Sequence, residues 1–285
     1  MNLTRYDDIH AFNRATEAFL LEREAQNNLL LGISVDLARS TLYADIEPYL
    51  ATVSDDGGVM AAALWTPPHN LVLTRAPSEA IELIADDLLA HYPDLPGVLG
   101  PSDTSRAFSE AWRQRTDREF HAGTLQRIYQ LERVHAPEDV PGSLRRVERS
   151  DAELLVAWLA AFEREAYGAA ARARSVDRLL EAYLEGRVRG LYLWEDGQPV
   201  SMAGHSGPTP NGIRVGPVYT PPEYRQRGYG TALTAALSQL LLDEGRRFCF
   251  LFTDLNNPTS NSIYQRIGYR PVVDVDEYRF GGSGR

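Results

Sequence analysis

The run Ile213-Arg-Val-Gly-Pro-Val-Tyr-Thr220 leads through Pro221-Pro-Glu-Tyr-Arg-Gln-Arg-Gly-Tyr-Gly230 into Thr231-Ala-Leu-Thr-Ala-Ala-Leu-Ser-Gln-Leu-Leu-Leu-Asp-Glu244. The first segment reads as a strand, with Pro217 demanding a bulge or an edge within it. In the third, Leu233, Ala236, Leu237, Leu240 and Leu241 recur at helical spacing, and Gly245 supplies the stop. Phe248-Cys-Phe-Leu-Phe-Thr253 follows as a short strand, apolar on both faces. Asn257 then caps a helix with Pro258 at its first position, and Gly268 ends it. Strand, glycine loop, helix, strand, helix is an α/β order, and the rest of the chain is organised around it.

The loop carries chemistry. Arg225-Gln226-Arg227-Gly228-Tyr229-Gly230 runs directly into a helix N-terminus, which offers unpaired N–H groups and partial positive charge. Gly228 and Gly230 carry no side chain to obstruct a ligand, and Arg225 and Arg227 add positive charge. Such a loop suits a pyrophosphate; its plainer reading is a solvated turn with a glycine hinge. A nucleoside-triphosphate loop needs Gly-x-x-x-x-Gly-Lys-Ser/Thr, and a dinucleotide loop needs three spaced glycines. Neither pattern occurs in the sequence.

The spacing Arg-x-x-Gly-x-Gly, followed by Asn257-Pro-Thr-Ser-Asn261-Ser-Ile-Tyr264-Gln-Arg-Ile-Gly268-Tyr269, resembles the GNAT (Gcn5-related N-acetyltransferase) superfamily, over Arg145 to Phe280. The resemblance implies acetyl-CoA as co-substrate, direct acyl transfer to an amine in a ternary complex, and a twisted, mostly antiparallel sheet split by a cleft. It implies that backbone groups at Val218 and Thr220 pair with the pantetheine arm. Arg225, Gln226, Arg227, Gly228, Tyr229, Gly230 and Thr231 would hold the pyrophosphate. Asn257 and Asn261 would face the cofactor, and Tyr264 would protonate the departing thiolate. Read without the resemblance, Tyr264 is a core tyrosine beside Ile263 and Ile267, and Asn261 a surface helix residue.

An amine acceptor arrives as an ammonium ion, with a reference pKa of about 10.4, and must lose a proton. Glu165, Glu163 and His205 are the candidate bases, each equally readable as a structural residue; Glu165 borders the apolar stripe of its helix. Cys249 alternates with phenylalanines in a buried run and reads as a packed thiol.

The first half shows the same order of elements: helices, a hairpin about Ser54-Asp-Asp-Gly-Gly58, strand, helix, strand, helix, strand. The expected organisation is therefore two GNAT-like units, residues 1–137 and 138–285, joined by the proline-bearing Glu132 to Gly142. In the first, the loop Thr74-Arg-Ala-Pro-Ser-Glu-Ala80 lacks glycine, and Glu79 would repel phosphate. That copy is expected to be degenerate and to bind no CoA.

The chain has 285 residues, a net charge of −10 and a pI near 5.1. Acidity of this size speaks against nucleic-acid and anionic-membrane partners. A single cysteine excludes an internal disulfide. No signal peptide or membrane-length apolar run is visible, which makes the cytoplasm the default. The six histidines show no metal-ligand spacing, so no metal is expected. Expected partners are a small-molecule or peptide amine. A non-catalytic acyl-CoA sensor, a thiol- or aminoacyl-conjugating enzyme on the same tandem fold and a protein-binding module are the alternatives. Acceptor, acyl length and oligomeric state are not written in the sequence.

Overall fold

The structure, a computed structural model, describes residues 1–40, 43, 45–167, 176–186 and 188–281. Its first half runs β1 (Asn2–Arg5), α1 (Ile9–Leu21), α2 (Asn28–Arg39), β2 (Tyr49–Asp55), β3 (Gly58–Trp65), β4 (Leu71–Leu73), α3 (Ser78–His91), β5 (Gly97–Pro101), α4 (Ser102–Thr116) and β6 (Phe120–Leu131). The second runs β7 (Ser143–Arg146), α5 (Ala152–Tyr167), α6 (Val176–Glu185), β8 (Gly190–Glu195), β9 (Pro199–Ser206), β10 (Gly212–Tyr219), α7 (Tyr229–Asp243), β11 (Phe248–Asp254), α8 (Pro258–Ile267) and β12 (Arg270–Phe280). The order of strands and helices is the same in both halves, as the repeat in the sequence predicts.

All twelve strands form one sheet, in the order β1-β2-β3-β4-β5-β12-β6-β11-β10-β9-β8-β7. Exchanging each strand for its counterpart six strands later reverses this order without changing it, so the sheet has pseudo-twofold symmetry about its centre. The two terminal strands are exchanged. β6, which ends the first half, pairs with β11 from Leu131↔Cys249 to Gln126↔Asp254. β12, which ends the chain, pairs with β5. β6 and β12 also pair with each other, from Arg270↔Gln130 to Phe280↔Phe120, so no open edge is left at the centre.

The exchange is carried by core residues as well as by backbone. Tyr129 and Leu131 of β6 pack in the second half's core under α7 and α8. Phe280 of β12 enters the first half's core under α3 and α4, stacked 5.7 Å from Trp112. Each half buries large apolar side chains on its partner's strand, and each such side chain contributes about 1.5–3 kcal/mol.

The opposite faces are covered by α1 and α2 in the first half and by α5 and α6 in the second. α2 also reaches across to the β9–β10 turn. There Gly32 lies against Gly207, so closely that a Cβ on Gly32 would come within 2.7 Å of the Gly207 Cα. Nearby, Glu24 accepts hydrogen bonds from the Thr209 hydroxyl at 2.5 Å and from the Asn211 backbone and side-chain amides at 2.8 Å each.

Pro77 occupies the N-cap position of α3, and the helix begins at Ser78 without a side-chain capping bond. β1 carries no apolar run of its own and is found only as an antiparallel partner of β2.

Candidate active site

β10 and β11 are parallel and pair only from Gly212↔Phe248 to Arg214↔Phe250. Beyond that point β10 bulges: three steps from Val215 to Val218 match two from His205 to Ala203 on β9. The peptide Gly216–Pro217 inside the bulge is cis. Past it, β10 follows β9 and leaves β11, which pairs onward only with β6. The expected bulge at Pro217 is thus present, and it splits the sheet. Residues 215–220 form one wall of the resulting wedge and residues 251–254 the other. The wedge opens into a cavity of about 1630 Å³ that continues past Asn70, Arg118 and Glu277 of the exchanged strands and first half.

At the wide end stands the glycine loop. Gly228 is the residue before α7 and has φ +84°. The first helical bond runs from the Ala232 N–H to the Gly228 carbonyl at 2.9 Å. The amides of Tyr229, Gly230 and Thr231 precede it and have no helical acceptor. Side chains cannot be added cheaply here. A Cβ on Gly228 would lie 3.0 Å from Val140, and one on Gly230 would lie 3.0 Å from the Thr220 hydroxyl. Gln226 also has a positive φ, 64°.

The loop's side chains divide. Arg225 donates from Nε to the Thr220 carbonyl at 2.9 Å and from Nη2 to both Glu165 oxygens, at 2.8 and 2.7 Å. Its guanidinium also lies 5.9 Å from the Tyr219 ring centroid. Arg225 is therefore a strut between β10 and α5, and its charge is already answered. Arg227 is exposed and lies outside the cavity lining. The Tyr229 ring is in the core, its hydroxyl donating to Asp196 at 2.7 Å, so only its backbone can face a ligand. What the loop presents to the wedge is mainly amide N–H.

Tyr264 of α8 lines the wedge and packs edge-to-face against Tyr269, with centroids 6.1 Å apart. Burial pushes its phenol up to about 12, so it is protonated at any ordinary pH. Its hydroxyl has no partner among the described residues. Asn257 lines the cavity, and its side chain accepts from the Ser260 N–H at 3.0 Å, the capping role read in the sequence. Asn261 departs from the cofactor-facing expectation. It accepts from the Tyr129 hydroxyl at 2.9 Å and donates to the Asp254 and Asn257 carbonyls at 2.8 Å each. That network spends its amide on fastening α8 to β6 and β11.

The candidate bases also separate. His205 is corrected: it lies outside the cavity, its ring 6.0 Å from that of Tyr192, with the edge against Gly190. Burial, then the cations Arg246, Arg146 and Arg189, push its pKa down to about 4. Glu165 lines the cavity with its carboxylate tied to Arg225. Glu163, two residues earlier, lines the same cavity with no ion pair to any described residue. Cys249 is buried, its thiol pushed up to about 12 by burial, and donates to the Ser238 carbonyl at 3.7 Å.

A charged group that the sequence reading missed lines the closed end of the cavity: Asp36 of α2, Arg189 before β8 and Arg214 of β10. Arg214 was visible as a lone cation inside an apolar strand just ahead of the bulge. Asp36 gave no such signal, since it stands far off in the chain and only the docking of α2 brings it near.

Among the described residues, the first half shows no counterpart of the wedge. β4 is only three residues long, and a Cβ on Gly100 would lie 2.9 Å from the Leu73 carbonyl, so β4 and β5 stay together. The Thr74 hydroxyl accepts from the Ala62 amide at 2.9 Å, and Arg75 pairs with Asp103 at 3.1 Å. The void there amounts to about 20 Å³.

Residues 152–269 match the family model of the acetyltransferase (GNAT) family. No curated protein matches the sequence. Among solved structures, an acetyltransferase from the GNAT family of Colwellia psychrerythraea aligns with TM-score 0.63 at 10% identity, covering 99% of this chain and 100% of the other. A GCN5-related N-acetyltransferase from Sphaerobacter thermophilus aligns with TM-score 0.60 at 16% identity, covering 97% and 95%. A tandem GNAT protein from the clavulanic acid biosynthesis pathway aligns with TM-score 0.59 at 15% identity, covering 100% and 99%. These likenesses extend over both halves and concern the fold. Among the described residues, no helix is long and apolar enough to cross a membrane.

Proposed function

We propose that this chain, whose residues 152–269 match the family model of the acetyltransferase (GNAT) family, transfers an acetyl group from acetyl-CoA directly to a primary amine. One observation carries this reading. A single wedge has free helix N-terminal amides at its wide end and the unpartnered hydroxyl of a neutral phenol, Tyr264, on its wall.

The wedge fits an extended acyl-CoA. The amides of Tyr229, Gly230 and Thr231 would hold the pyrophosphate, with Gly228 and Gly230 permitting backbone approach. The backbone of β10 around Val218 and Thr220, which the splay parts from β11, would pair with the pantetheine amides, through the Thr220 N–H rather than its carbonyl, which Arg225 already holds. As substrate, acetyl-CoA supplies an activated acyl carbon.

On this side of the reaction the protein's tasks are two proton transfers. Glu163 takes the ammonium proton of the acceptor, directly or through one water, because it is the cavity carboxylate that Arg225 does not occupy. The freed nitrogen bonds to the acyl carbon, the carbon–sulfur bond breaks, Tyr264 gives its proton to the departing sulfur, and the proton that the nitrogen sheds on becoming an amide returns through water to the Tyr264 oxygen. Cys249, buried and pushed toward its thiol form, is no nucleophile, so no acyl-enzyme is formed. A sensor would have no need of the Tyr264 hydroxyl facing the wedge.

We assign CoA binding to the second unit, residues 138–285, and none to the first, residues 1–137, where strands β4 and β5 stay closed. The test is calorimetric titration with acetyl-CoA joined to a CoA-release assay across a panel of primary amines. Saturable binding with amine-dependent release is expected. Binding without release from any amine would favour the sensor, and absence of binding would overturn both readings.

A further inference from the structure

Asp36, Arg189 and Arg214 meet where α2 of the first half closes over β8 and β10 of the second. Arg189 donates from Nη2 to Asp36 at 2.5 Å, and the two residues are 5% and 3% exposed. This pair is complete in charge. Arg214 adds a second cation, and its only polar partner among the described residues is the Ser206 hydroxyl at 3.4 Å. Buried Arg214 Nη1, Arg189 Nε and Asp36 Oδ1 have no hydrogen-bond partner among the described residues.

All three residues line the cavity, so the cluster presents one uncompensated positive charge to it. Burial lowers the Arg214 pKa, and Asp36 only partly opposes this. A cation with its Nη1 buried and no full counter-ion is a cost to the fold, and here the Asp36–Arg189 pair already joins the two halves without it. Such a charge is explained by a ligand that completes it.

The ligand is not the CoA pyrophosphate. Arg214 is six residues from Thr220, up to about 20 Å along the strand, and Thr220 is the residue that touches the glycine loop. Arg214 instead sits immediately before the splay, at the end of the wedge opposite the phosphate seat. Leu29 and Ile33 of α2 and Leu179 of α6 add apolar surface to the same cavity, and the Tyr183 ring lies 5.6 Å from the Arg189 guanidinium.

We infer that Arg214, with Arg189 beside it, binds the carboxylate of the acceptor, so that the acceptor is an amine bearing both a carboxylate and an apolar body, such as an apolar amino acid. This rests on the acetyltransferase reading. It assigns α2 of the first half a direct part in shaping the acceptor pocket, through Asp36, which holds Arg189 in place.

The test uses full-length protein and product-like probes: N-acetyl-L-leucine and N-acetyl-L-phenylalanine, each against its own carboxamide, titrated by calorimetry. At least one acid is expected to bind saturably and at least tenfold more tightly than its amide. In Arg214→Met that preference should shrink to within about twofold, while Arg214→Lys, which keeps the charge, should retain part of it. Because the Asp36–Arg189 pair remains, the Tm of Arg214→Met should match or exceed that of the wild type.

The inference is overturned if no acid binds, if acids bind no better than amides, or if the preference survives in Arg214→Met. If that variant does not fold, an undiminished preference in wild type that Arg214→Lys leaves entirely unchanged in magnitude and enthalpy overturns it equally. Acetyl-CoA titration of the same wild-type sample separates the two readings. Acetyl-CoA binding without acid preference removes only this inference; acid preference without acetyl-CoA binding removes the acetyltransferase.

Discussion

Arg225 and Glu165 are locked together across the mouth of the wedge, one guanidinium nitrogen 2.8 and 2.7 Å from the two carboxylate oxygens. The pair ties the loop before α7 to α5. In the proposed reaction the base is therefore Glu163, the cavity carboxylate that Arg225 does not hold. Glu163→Gln should therefore lower kcat by about 10² or more at neutral pH. The loss should shrink as pH rises toward the amine's own pKa, because free amine then no longer needs a base. Glu165→Gln should cost less than tenfold. The check is a pair of kcat–pH profiles, and equal losses in the two variants would return the role to Glu165.

Tyr264→Phe should lower kcat by about 10² while changing acetyl-CoA affinity little, since the phenol acts on charge that develops on sulfur in the transition state. The ring's contact with Tyr269 is kept. With the phenol up at about 12, the acid form persists across the assay range. The wild-type kcat profile should therefore show no falling limb from this group below about pH 10. A variant within twofold of wild type, with chemistry limiting, would remove Tyr264 from the reaction.

Gly228→Glu should abolish acetyl-CoA binding. It sets a carboxylate where we propose the pyrophosphate lies, forces a non-glycine residue to φ +84°, and crowds Val140. The left-handed conformation alone should reduce stability by about 1–2 kcal/mol. Calorimetry and urea unfolding of one sample measure both, and unchanged affinity would contradict the placing of the pyrophosphate.

The closed β4–β5 junction leads us to expect one acetyl-CoA per chain, with none remaining in Gly228→Glu. Titration of the intact chain is the right format, because β6 and β12 are exchanged and residues 1–137 alone would lack the strand that covers β5. A stoichiometry of two would show that the first half binds as well.

Arg145 holds Asp151 in two parallel hydrogen bonds of 2.8 Å each, and the Glu148 amide donates to the same carboxylate at 2.8 Å. The Arg145 bonds, against opposing burial, keep the Asp151 carboxyl below its ordinary range. A lowered carboxylate contributes stability above its unfolded pKa of about 3.9, and that contribution is lost as pH falls through the folded value. Asp151→Asn should thus cost about 1–2 kcal/mol at pH 7 and progressively less below pH 4. Urea unfolding at pH 7 and pH 3 reads the difference, and an equal cost at both would break the linkage.

Much of this protein follows from local chemistry alone. Gly228, Gly230 and the start of α7 specify a glycine turn into a helix N-terminus because glycine φ and free helical amides are properties of a few adjacent residues. Pro217 specifies a bulge because it has no amide to give to a ladder, and Asn257-Pro258 specifies a helix start. The repeat of element order is likewise written in periodicity. The exchange of β6 and β12 is not, since either strand satisfies its alternation beside several partners, and only the fit of Tyr129, Leu131 and Phe280 into the opposite cores selects the pairing. Nor could local pattern separate Glu163 from Glu165, discard His205 and Asn261, or join Asp36 to Arg189 and Arg214. Those assignments depend on which groups meet across 153 positions of chain, as Asp36 and Arg189 do, and charge pairing and burial exist only once the halves have closed on one another.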